Sequence, residues 1–506
     1  MKEKYFVWKA SSLVLTTLLV LPILAIFYTA FGNSDEVFAH LLATVMPTYI
    51  FNTLVLTCSV LLLALLFGVP SAWLIAMCKL PGERWLQWAL VLPLAMPAYI
   101  IGYLFTHWFD YAGPIQIALR DWTGWQAGSY WFPDIRSLGG ASVVLALVLY
   151  PYVYLLCRAA FMEQNVTLLQ SARLLKCSPW QSFRRISLAV YDTWLGYSNL
   201  NAAAKISAIM LVMVLLLLSS ERYSRRRQKL YQTQFNSHEE YRYTLKGWRL
   251  WAALIWCWSL VAVAFILPLL QLISYAWTYF AQSWTTQFKE YAINSFTVSI
   301  SAAVVAVLVA LVANFYARLQ NNRTSVALMR LSSMGYAVPG TVLAIGILVP
   351  VLALDHLIND IAKMMEWGRP GLVFSGSLFA IVFALVVRFS AVAIGSIESS
   401  LSKVSPSLDM AARTMGCHAN QMLKRVHLPL IRRGALIAGL LVFIESMKEL
   451  NAAILLRPFN FETLATYVYN YASDERLELA ALPAILLVLV GLIPLVMVNR
   501  SLEQKH

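Results

Sequence analysis

The sequence contains little charge for its length. Only 13% of its 506 residues are Asp, Glu, Lys or Arg, whereas 60% are hydrophobic. Soluble domains carry about 25% charged residues, so this composition excludes an ordinary soluble protein. Apolar runs of roughly 20 residues, the length at which a helix spans a bilayer, recur along the chain. The sequence therefore predicts an all-α polytopic membrane protein.

Several chemical signatures are also missing. The six cysteines are scattered and form no CxxC pair, which excludes a disulfide framework and a zinc site. No G-x-x-x-x-G-K-[ST] phosphate-binding loop occurs, so we do not expect the chain to bind ATP itself. No catalytic constellation is recognisable, which argues against a membrane-embedded enzyme. We therefore expect no resident cofactor.

The net charge of +14 is distributed as in a membrane protein. Lys and Arg cluster in short loops between the apolar runs, as the positive-inside rule expects, so the predicted partner is a lipid bilayer and not nucleic acid. The first run, near 8–31, is too long for a signal-peptide core and is not followed by a small-residue cleavage site. It is expected to remain as a span, with the basic N-terminus in the cytoplasm.

Hydropathy predicts eleven spans. They lie near 8–31, 50–77, 86–106, 138–160, 203–220, 250–276, 293–317, 328–354, 372–397, 433–456 and 478–499.

An internal repeat organises these spans. Tyr49-Ile-Phe-Asn52 recurs as Tyr291-Ala-Ile-Asn294, and Met96-Pro97 recurs as Val338-Pro339, both at an offset of 242 residues. Both proline pairs are expected to kink their spans. The sequence thus predicts two parallel repeats about an axis along the membrane normal, each of about six helices. The predicted halves are 1–249, with a basic inter-half loop at 221–249, and 250–506.

The first half is predicted to lack about one helix. In the second half, 39 positions separate Pro429 from Val468, whereas the corresponding Ala189 and Val190 are adjacent. The loops on either side of the predicted span 203–220 are both strongly basic, although one span would place them on opposite faces. Either residues 187–202 enter the membrane and return without crossing it, or the N-terminal half has lost a segment, which is the interpretation we favour.

Two basic loops at equivalent places carry a shared pattern. The loop 398–432 contains Met410-Ala-Ala-Arg-Thr-Met-Gly416, nine residues, and then Val426-His-Leu-Pro429. The loop 162–189 contains Gln170-Ser-Ala-Arg-Leu-Leu-Lys176, nine residues, and then Ile186-Ser-Leu-Ala189. Both resemble the EAA loop of ABC-transporter permeases, in which E-A-A, three residues, G and nine residues precede I-x-L-P. Gln and Met replace the Glu, and the first copy also lacks the Gly and the Pro.

The resemblance implies that each loop is a short helix docked in a cleft of a cytoplasmic ATPase. The paired small residues would let the helix backbone approach its partner closely, and Gly416 would end the second helix in a left-handed conformation. Helix-in-groove docking is a common mode of recognition. The expected docking residues are Ser171, Ala172, Lys176, Ala411, Ala412, Gly416, Leu428 and Pro429.

Ionisable residues occur within the penultimate predicted span. Such groups are costly in a membrane and are candidates for function. Glu445 and Glu449 are four residues apart, so a continuous helix would place them on one face, with Lys448 beside them. The alternative is that the three charges neutralise one another and fix helix packing. Arg388 lies within another predicted span, and its partner cannot be read from the sequence.

The stretch Lys448-Glu-Leu and the stretch Leu456-Arg457-Pro-Phe-Asn-Phe-Glu-Thr-Leu-Ala465 resemble segments of ferric-iron permeases of the ABC superfamily. This resemblance implies a substrate pathway that includes Glu445, Lys448, Glu449 and Arg457. A hard trivalent cation favours carboxylate oxygens, so Glu445 and Glu449 are the candidate transient metal contacts.

The resemblance further implies a multi-pass permease in the inner membrane of a bacterium. Two copies of a cytoplasmic ABC ATPase would use the ATP, and a periplasmic binding protein would deliver ferric iron. Sulfate, a polyamine, thiamine or a phosphonate is the alternative cargo for the same machine. A secondary transporter driven by an ion gradient is the alternative of another class.

Overall fold

The computed structural model describes residues 6–31, 35–126, 129–162, 243–320 and 322–503. Within these ranges the regular structure is helical, apart from a parallel pair of two-residue strands, β1 (Cys78–Lys79) and β2 (Tyr243–Thr244). The all-α prediction is confirmed. The first docking loop beyond Met162, the predicted span 203–220 and most of the basic inter-half loop lie outside the described residues.

The described helices before residue 163 form one series. They are α1 (Phe6–Ala30), α2 (Asp35–Thr44), α3 (Met46–Met77), α4 (Glu83–Ala89), a 3-10 turn (Leu92–Ala95), α5 (Ala98–Phe109), α6 (Pro114–Thr123) and α7 (Leu138–Met162).

The helices after residue 242 form the second series. They are α8 (Trp248–Val261), a π turn (Ala262–Ile266), α9 (Leu267–Thr278), α10 (Phe280–Ser283), α11 (Thr286–Gln320), α12 (Arg323–Leu331), a 3-10 turn (Met334–Ala337), α13 (Gly340–Met364), α14 (Leu378–Leu401), α15 (Pro406–Thr414), α16 (Ala419–Met422), a π turn (Leu423–His427), α17 (Leu428–Lys448), α18 (Asn451–Leu456), α19 (Leu464–Ser473) and α20 (Leu477–Glu503).

The described helices pack as two compact units that interleave along the sequence. One unit combines α1 with α11 to α18 and the first turn of α19, and the other combines α3 to α10 with the end of α19 and α20. The units therefore do not follow the predicted halves 1–249 and 250–506. The predicted halves were defined by a sequence repeat and not by contacts. The division into two repeated halves therefore stays a prediction.

In the first unit, α1 packs along α13. The helices approach closely because Gly346 has no side chain: a Cβ there would overlap the carbonyl oxygen of Pro22 and the side chain of Ile26. Small residues commonly allow such approach between membrane helices. Thr16 extends the contact through its hydroxyl, which lies 2.9 Å from that of Ser332.

In the second unit, α3 and α7 pack along their lengths. Gly68 of α3 faces Val153 of α7, and the hydroxyls of Ser59 and Ser142 lie 2.6 Å apart. The phenol rings of Tyr150 and Tyr154 are fully buried in this unit.

The described chain contains eight helices that are long and apolar enough to span a membrane, or nine if a pair bent by 90° is one span. That pair joins Glu83–Ala95 to Ala98–Thr123. The predicted membrane class is confirmed, whereas the count of eleven stays a prediction.

The two proline sites interrupt their helices instead of kinking them. Each site consists of a 3-10 turn, one extended residue and a proline that begins the next helix. The extended residues are Met96, with ψ 127°, and Val338, with ψ 126°. A residue before proline is disfavoured in the α region, and proline lacks the N–H that a continuous helix needs. The predicted spans at 86–106 and 328–354 are therefore broken at the prolines, where only kinks were expected.

Gly346→Ala is expected to destabilise the protein by about 1–3 kcal/mol, the usual cost of overpacking, because the new methyl group would push α1 away from α13. Gly395→Ala on α14 is the matched control, since no atom lies within 4 Å of its Cβ position. The measurement is the free energy of unfolding of the purified protein in lipid micelles. Equal stability of the two variants would contradict the close packing.

Candidate functional site

The second docking loop contains a well-capped short helix, α15. Ser405 precedes it, and the Ser405 hydroxyl accepts a hydrogen bond from the Ser407 N–H at 3.3 Å. Pro406 occupies the first helical position, where its missing N–H costs nothing. Asp409 in the first turn has a favourable interaction with the positive end of the helix. The sequence thus favours a helix here even though only nine residues form it.

The helix ends in a Schellman motif at Gly416. The Cys417 N–H donates to the carbonyl oxygen of Ala412 at 3.0 Å, and the Gly416 N–H donates to that of Arg413 at 3.1 Å. Gly416 has φ +76°, a conformation that costs other residues free energy because of their Cβ. The predicted left-handed end of this helix is confirmed.

The two alanines of the motif have different surroundings. Ala412 is buried in a cluster with Phe315, Leu319 and Met422, whereas Ala411 is exposed. The idea that both small residues face a partner was wrong for Ala412, because consecutive positions of a helix point about 100° apart. Ala412 instead allows α15 to lie close to the end of α11.

The outward side of α15 exposes large apolar side chains next to the polar side chains of Ser407 and Thr414. Met410 and Met415 are 62% and 82% exposed, and Leu408 is 43% exposed. Exposed Lys424 and Arg425 follow on the chain. Methionine-rich surfaces can adapt to the shape of a partner. We name the face formed by Leu408, Met410, Ala411 and Met415 the docking face.

Leu428 and Pro429, also predicted to dock, lie exposed at the start of α17. A π turn over Leu423–His427 precedes them, and Pro429 lacks the N–H that a regular helix would donate to this turn. The predicted residues of the first loop, Ser171, Ala172 and Lys176, lie outside the described residues. The structure thus describes one of the two loops.

Sequence reasoning missed an ion pair of Arg318 and Asp409, with His427 beside it, on the inner side of α15. The Nε of Arg318 donates to Oδ2 of Asp409 at 2.7 Å, and Oδ1 of Asp409 lies 3.0 Å from Nε2 of His427. These side chains are 17%, 14% and 0% exposed, respectively. Arg318 and Asp409 are 91 positions apart, and no local pattern in the sequence signals their pairing.

The predicted pathway residues Glu445 and Glu449 do not share a helix. Helix α17 ends at Lys448, and Glu449 is extended with ψ 113°. The Ala452 N–H donates to Oε1 of Glu449 at 3.2 Å, so this carboxylate satisfies an N–H at the start of α18. The predicted continuous span 433–456 and the shared face of the two glutamates were wrong, because the chain breaks between α17 and α18.

Glu449 pairs with Arg388 of α14, the partner that the sequence did not reveal. The Nε of Arg388 lies 3.4 Å from Oε2 of Glu449, and their side chains are 21% and 8% exposed. A Cβ at Gly340 would overlap both charged groups, so the start of α13 closes against the pair. Three helix termini and one helix centre therefore meet at this ion pair.

The remaining predicted pathway residues lie near this pair in the sequence but have other contacts. Lys448 is partly buried and within electrostatic range of Glu445. Arg457 forms an ion pair with Glu462, and the Asn294 amide donates to the Glu462 carbonyl oxygen at 3.2 Å. The buried charges are therefore neutralised, as the alternative interpretation expected, but the counterion of Glu449 is Arg388.

A small cavity with polar and apolar walls is lined in part by Glu449. Its polar wall is made by Ser295, Ser299, Ser446 and Thr463, and the Ser446 hydroxyl has no hydrogen-bond partner within the described residues. In that same part of the chain, no group of three or more His, Cys, Asp or Glu side chains could hold a metal ion.

The described chain thus combines apolar helices of membrane-spanning length, a buried ion pair at helix breaks and a short helix with exposed methionines. Comparison with known families names the class. The model of the family described as "Binding-protein-dependent transport system inner membrane component" matches residues 64–188 and 302–505. The chain belongs to this family, and both predicted docking loops contribute residues to the matched stretches. It is a multi-pass inner-membrane permease of the ABC importer class.

Individual relatives differ in what they transport. The chain is 22% identical over 495 residues to the Fe(3+)-transport system permease protein FbpB 2 of Haemophilus influenzae, which covers 90% of each chain. It is 33% identical over 127 residues to the molybdenum transport system permease protein ModB of Escherichia coli, which covers 25% of this chain and 52% of that protein. The sulfate transport system permease protein CysW of the same species is 26% identical over 186 residues, which cover 37% of this chain and 61% of that protein.

A solved structure also matches part of the fold. It is the crystal structure of a bacterial alginate ABC transporter in complex with an alginate pentasaccharide-bound periplasmic protein. Its matched chain has a TM-score of 0.38 and 18% identity, and the match covers 50% of this chain and 93% of that one.

Glu449→Gln is expected to destabilise the protein by about 3–5 kcal/mol, because it leaves the Arg388 charge buried without a counterion. Adding Arg388→Met should recover much of this loss, since the double variant removes both charges. The measurement is the free energy of unfolding in lipid micelles.

The control is Arg136→Gln, which breaks an exposed ion pair with Asp110 at 54% and 41% exposure. It should cost less than about 1 kcal/mol. Additive losses in the Arg388 and Glu449 variants would mean that the two groups do not interact.

Proposed function

We propose that the chain is the permease of an ATP-driven importer of ferric iron. A periplasmic binding protein delivers the cargo, and two copies of a cytoplasmic ABC ATPase, which bind and hydrolyse the ATP, each hold one docking loop. The permease itself binds no cofactor and catalyses no reaction. The observation that carries the cargo assignment is the alignment with the ferric-iron permease over 90% of both chains.

The assignment of an ATPase as the partner rests on the docking face. It presents two exposed methionines and a leucine around Ala411, where the absence of a large side chain lets a partner backbone approach. An amphipathic helix that places its apolar face in a groove is a common mode of recognition. Ser171, Ala172 and Lys176 are proposed to serve the second copy of the ATPase.

The assignment of the substrate pathway rests on the charged residues of the second half. Glu445 and Glu449 offer oxygen ligands, which a hard trivalent cation prefers, while Arg388 and Lys448 balance their charge. Because the two negative and two positive charges cancel, these groups would contact the cation only transiently. Weak binding suits a pathway, because a tight site would retain the ion. Arg457, paired with Glu462, completes the proposed pathway set.

A second cargo class is an oxyanion. The molybdenum and sulfate permeases are similar over shorter stretches. In addition, the Nη1 atom of Arg388 is buried and has no hydrogen-bond partner within the described residues. A guanidinium group and nearby hydroxyls are donors that suit an oxyanion. The two cargo classes predict opposite effects of removing the Arg388 charge.

Docking is testable with a matched pair of cysteine variants. In a background without the six native cysteines, Ala411→Cys is expected to form a disulfide with a cysteine placed in the docking cleft of the co-purified ATPase. Ala412→Cys should not, because that position is buried against α11. Gel mobility of the oxidised complex measures both. Equal cross-linking at both positions would contradict the assigned orientation of α15.

Cargo is testable in proteoliposomes with the ATPase and the loaded binding protein. Ferric iron, molybdate and sulfate are offered in turn, and uptake of ferric iron is expected. Arg388→Gln is combined with Glu449→Gln so that no unpaired charge stays buried, and relative to Glu449→Gln alone it should reduce oxyanion uptake by about tenfold or more if the cargo is an anion, since a charge-assisted hydrogen bond is lost. Accumulation that persists without any ATPase would instead indicate an ion-coupled secondary transporter.

A further inference from the structure

The inner side of α15 is tied to three other helices through one carboxylate. Asp409 is 14% exposed and lies between Arg318, at the end of α11, and His427, at the start of α17. Its Oδ2 accepts a hydrogen bond from Arg318 at 2.7 Å, whereas Oδ1 lies 3.0 Å from Nε2 of His427 without the geometry of a hydrogen bond. One residue of the docking helix therefore contacts two membrane helices at once.

Arg318 extends this connection to a third helix. Its Nη1 donates to the carbonyl oxygen of Leu401, the last residue of α14, and its Nη2 donates to that of Val404 at 2.8 Å. The last carbonyl groups of a helix have no partner within the helix, so a cation is favourable there. The planar guanidinium can bind a carboxylate and two carbonyl oxygens in fixed directions, which a lysine cannot.

The network is enclosed by rings on its inner side. His427 is fully buried and packs edge-on against Phe315 at a ring-centroid distance of 5.4 Å. Phe315 in turn contacts Trp8 of α1 at 4.8 Å, and the Trp8 indole donates to the Asn420 side chain at 2.8 Å. Exclusion of water strengthens the ionic hydrogen bonds and makes separation of the charges costly.

The two sides of α15 thus have different contacts. The outer side is the docking face. The inner side carries the only carboxylate of this helix, and that group is held in place by two helices of the membrane core. A displacement of α15 by a partner would be passed to α11, α14 and α17 through Arg318 and His427. Of these, α14 carries Arg388, and α17 leads directly to Glu449.

We propose that Asp409 is a positioning residue that couples the docking helix to the pathway helices, with Arg318 and His427 as its anchors. The proposal rests on the proposed function, because it requires an ATPase to move α15. The Asp409 carboxylate makes α15 and the cytoplasmic ends of α11, α14 and α17 move as one body. Without its charge, α15 still binds the ATPase but turns without carrying those ends along.

The test compares Asp409→Asn with wild type in reconstituted complexes of permease, ATPase and loaded binding protein. Cargo is whichever of ferric iron, molybdate and sulfate the co-purified binding protein binds. Asp409→Asn keeps the size and one acceptor oxygen but loses the charge. The amount of cargo transported per ATP hydrolysed is expected to fall by about tenfold, the effect of losing an ionic hydrogen bond.

Two further variants separate coupling from folding. Glu398→Gln makes the same acid-to-amide change at an exposed position of α14. This variant should transport as much cargo per ATP hydrolysed as the wild-type protein does. Asp409→Glu restores the charge and is expected to recover most of the ratio. If Asp409→Asn does not assemble, Arg318→Lys replaces it, since lysine cannot bind the carboxylate and two carbonyl oxygens together, and the same fall is expected.

The outcomes distinguish the two proposals. Wild-type protein that binds no ATPase overturns the proposed function and, with it, this inference. A wild-type ratio of transport to hydrolysis in Asp409→Asn, or in Arg318→Lys where that variant takes its place, overturns the inference alone. A fall in the ratio with intact assembly, reversed by Asp409→Glu, supports it.

Discussion

The fold depends on the need to satisfy every backbone N–H and C=O group without water. Helices meet this need within themselves, which is why the described spans are helical. The chain departs from a helix at Met96, Val338 and Glu449, and each departure is covered: Met96 and Val338 are almost fully buried, and the Glu449 carboxylate accepts from the Ala452 N–H. Irregular backbone is tolerated where protein surrounds it, and such places can also hold a charge.

The ion pair of Arg388 and Glu449 follows from this arrangement. A charge in the middle of α14 needs a counterion within the protein, and a carboxylate at the end of α17 can reach it only because that helix stops at Lys448. Gly340 leaves room for both groups where α13 begins. The break, the glycine and the arginine therefore depend on one another, although together they span more than 100 positions of the chain.

The docking loop shows how a nine-residue helix can be both rigid and available. Burial of Ala412 and the ion pair of Asp409 with Arg318 hold its inner side, and Gly416 fixes where it ends. Its outer side keeps methionines exposed, at a cost in hydration that a bound partner would recover. A loop held only by its own backbone would be too mobile to transmit a displacement, because isolated helices of this length are unstable.

The sequence by itself determined the membrane class, most span positions, the family and the left-handed Gly416, because hydropathy, proline and glycine act locally. It placed Glu445, Glu449, Ala411 and Ala412 in functional segments but misjudged their surroundings, since a helical period assumes an unbroken helix and equal faces. Only the tertiary structure decided that Glu449 pairs with Arg388, that Ala412 is buried, and that Asp409 binds Arg318 beside the buried ring of His427. Those pairings depend on which helices pack together, and burial, which no local pattern records, decides how much each charge matters.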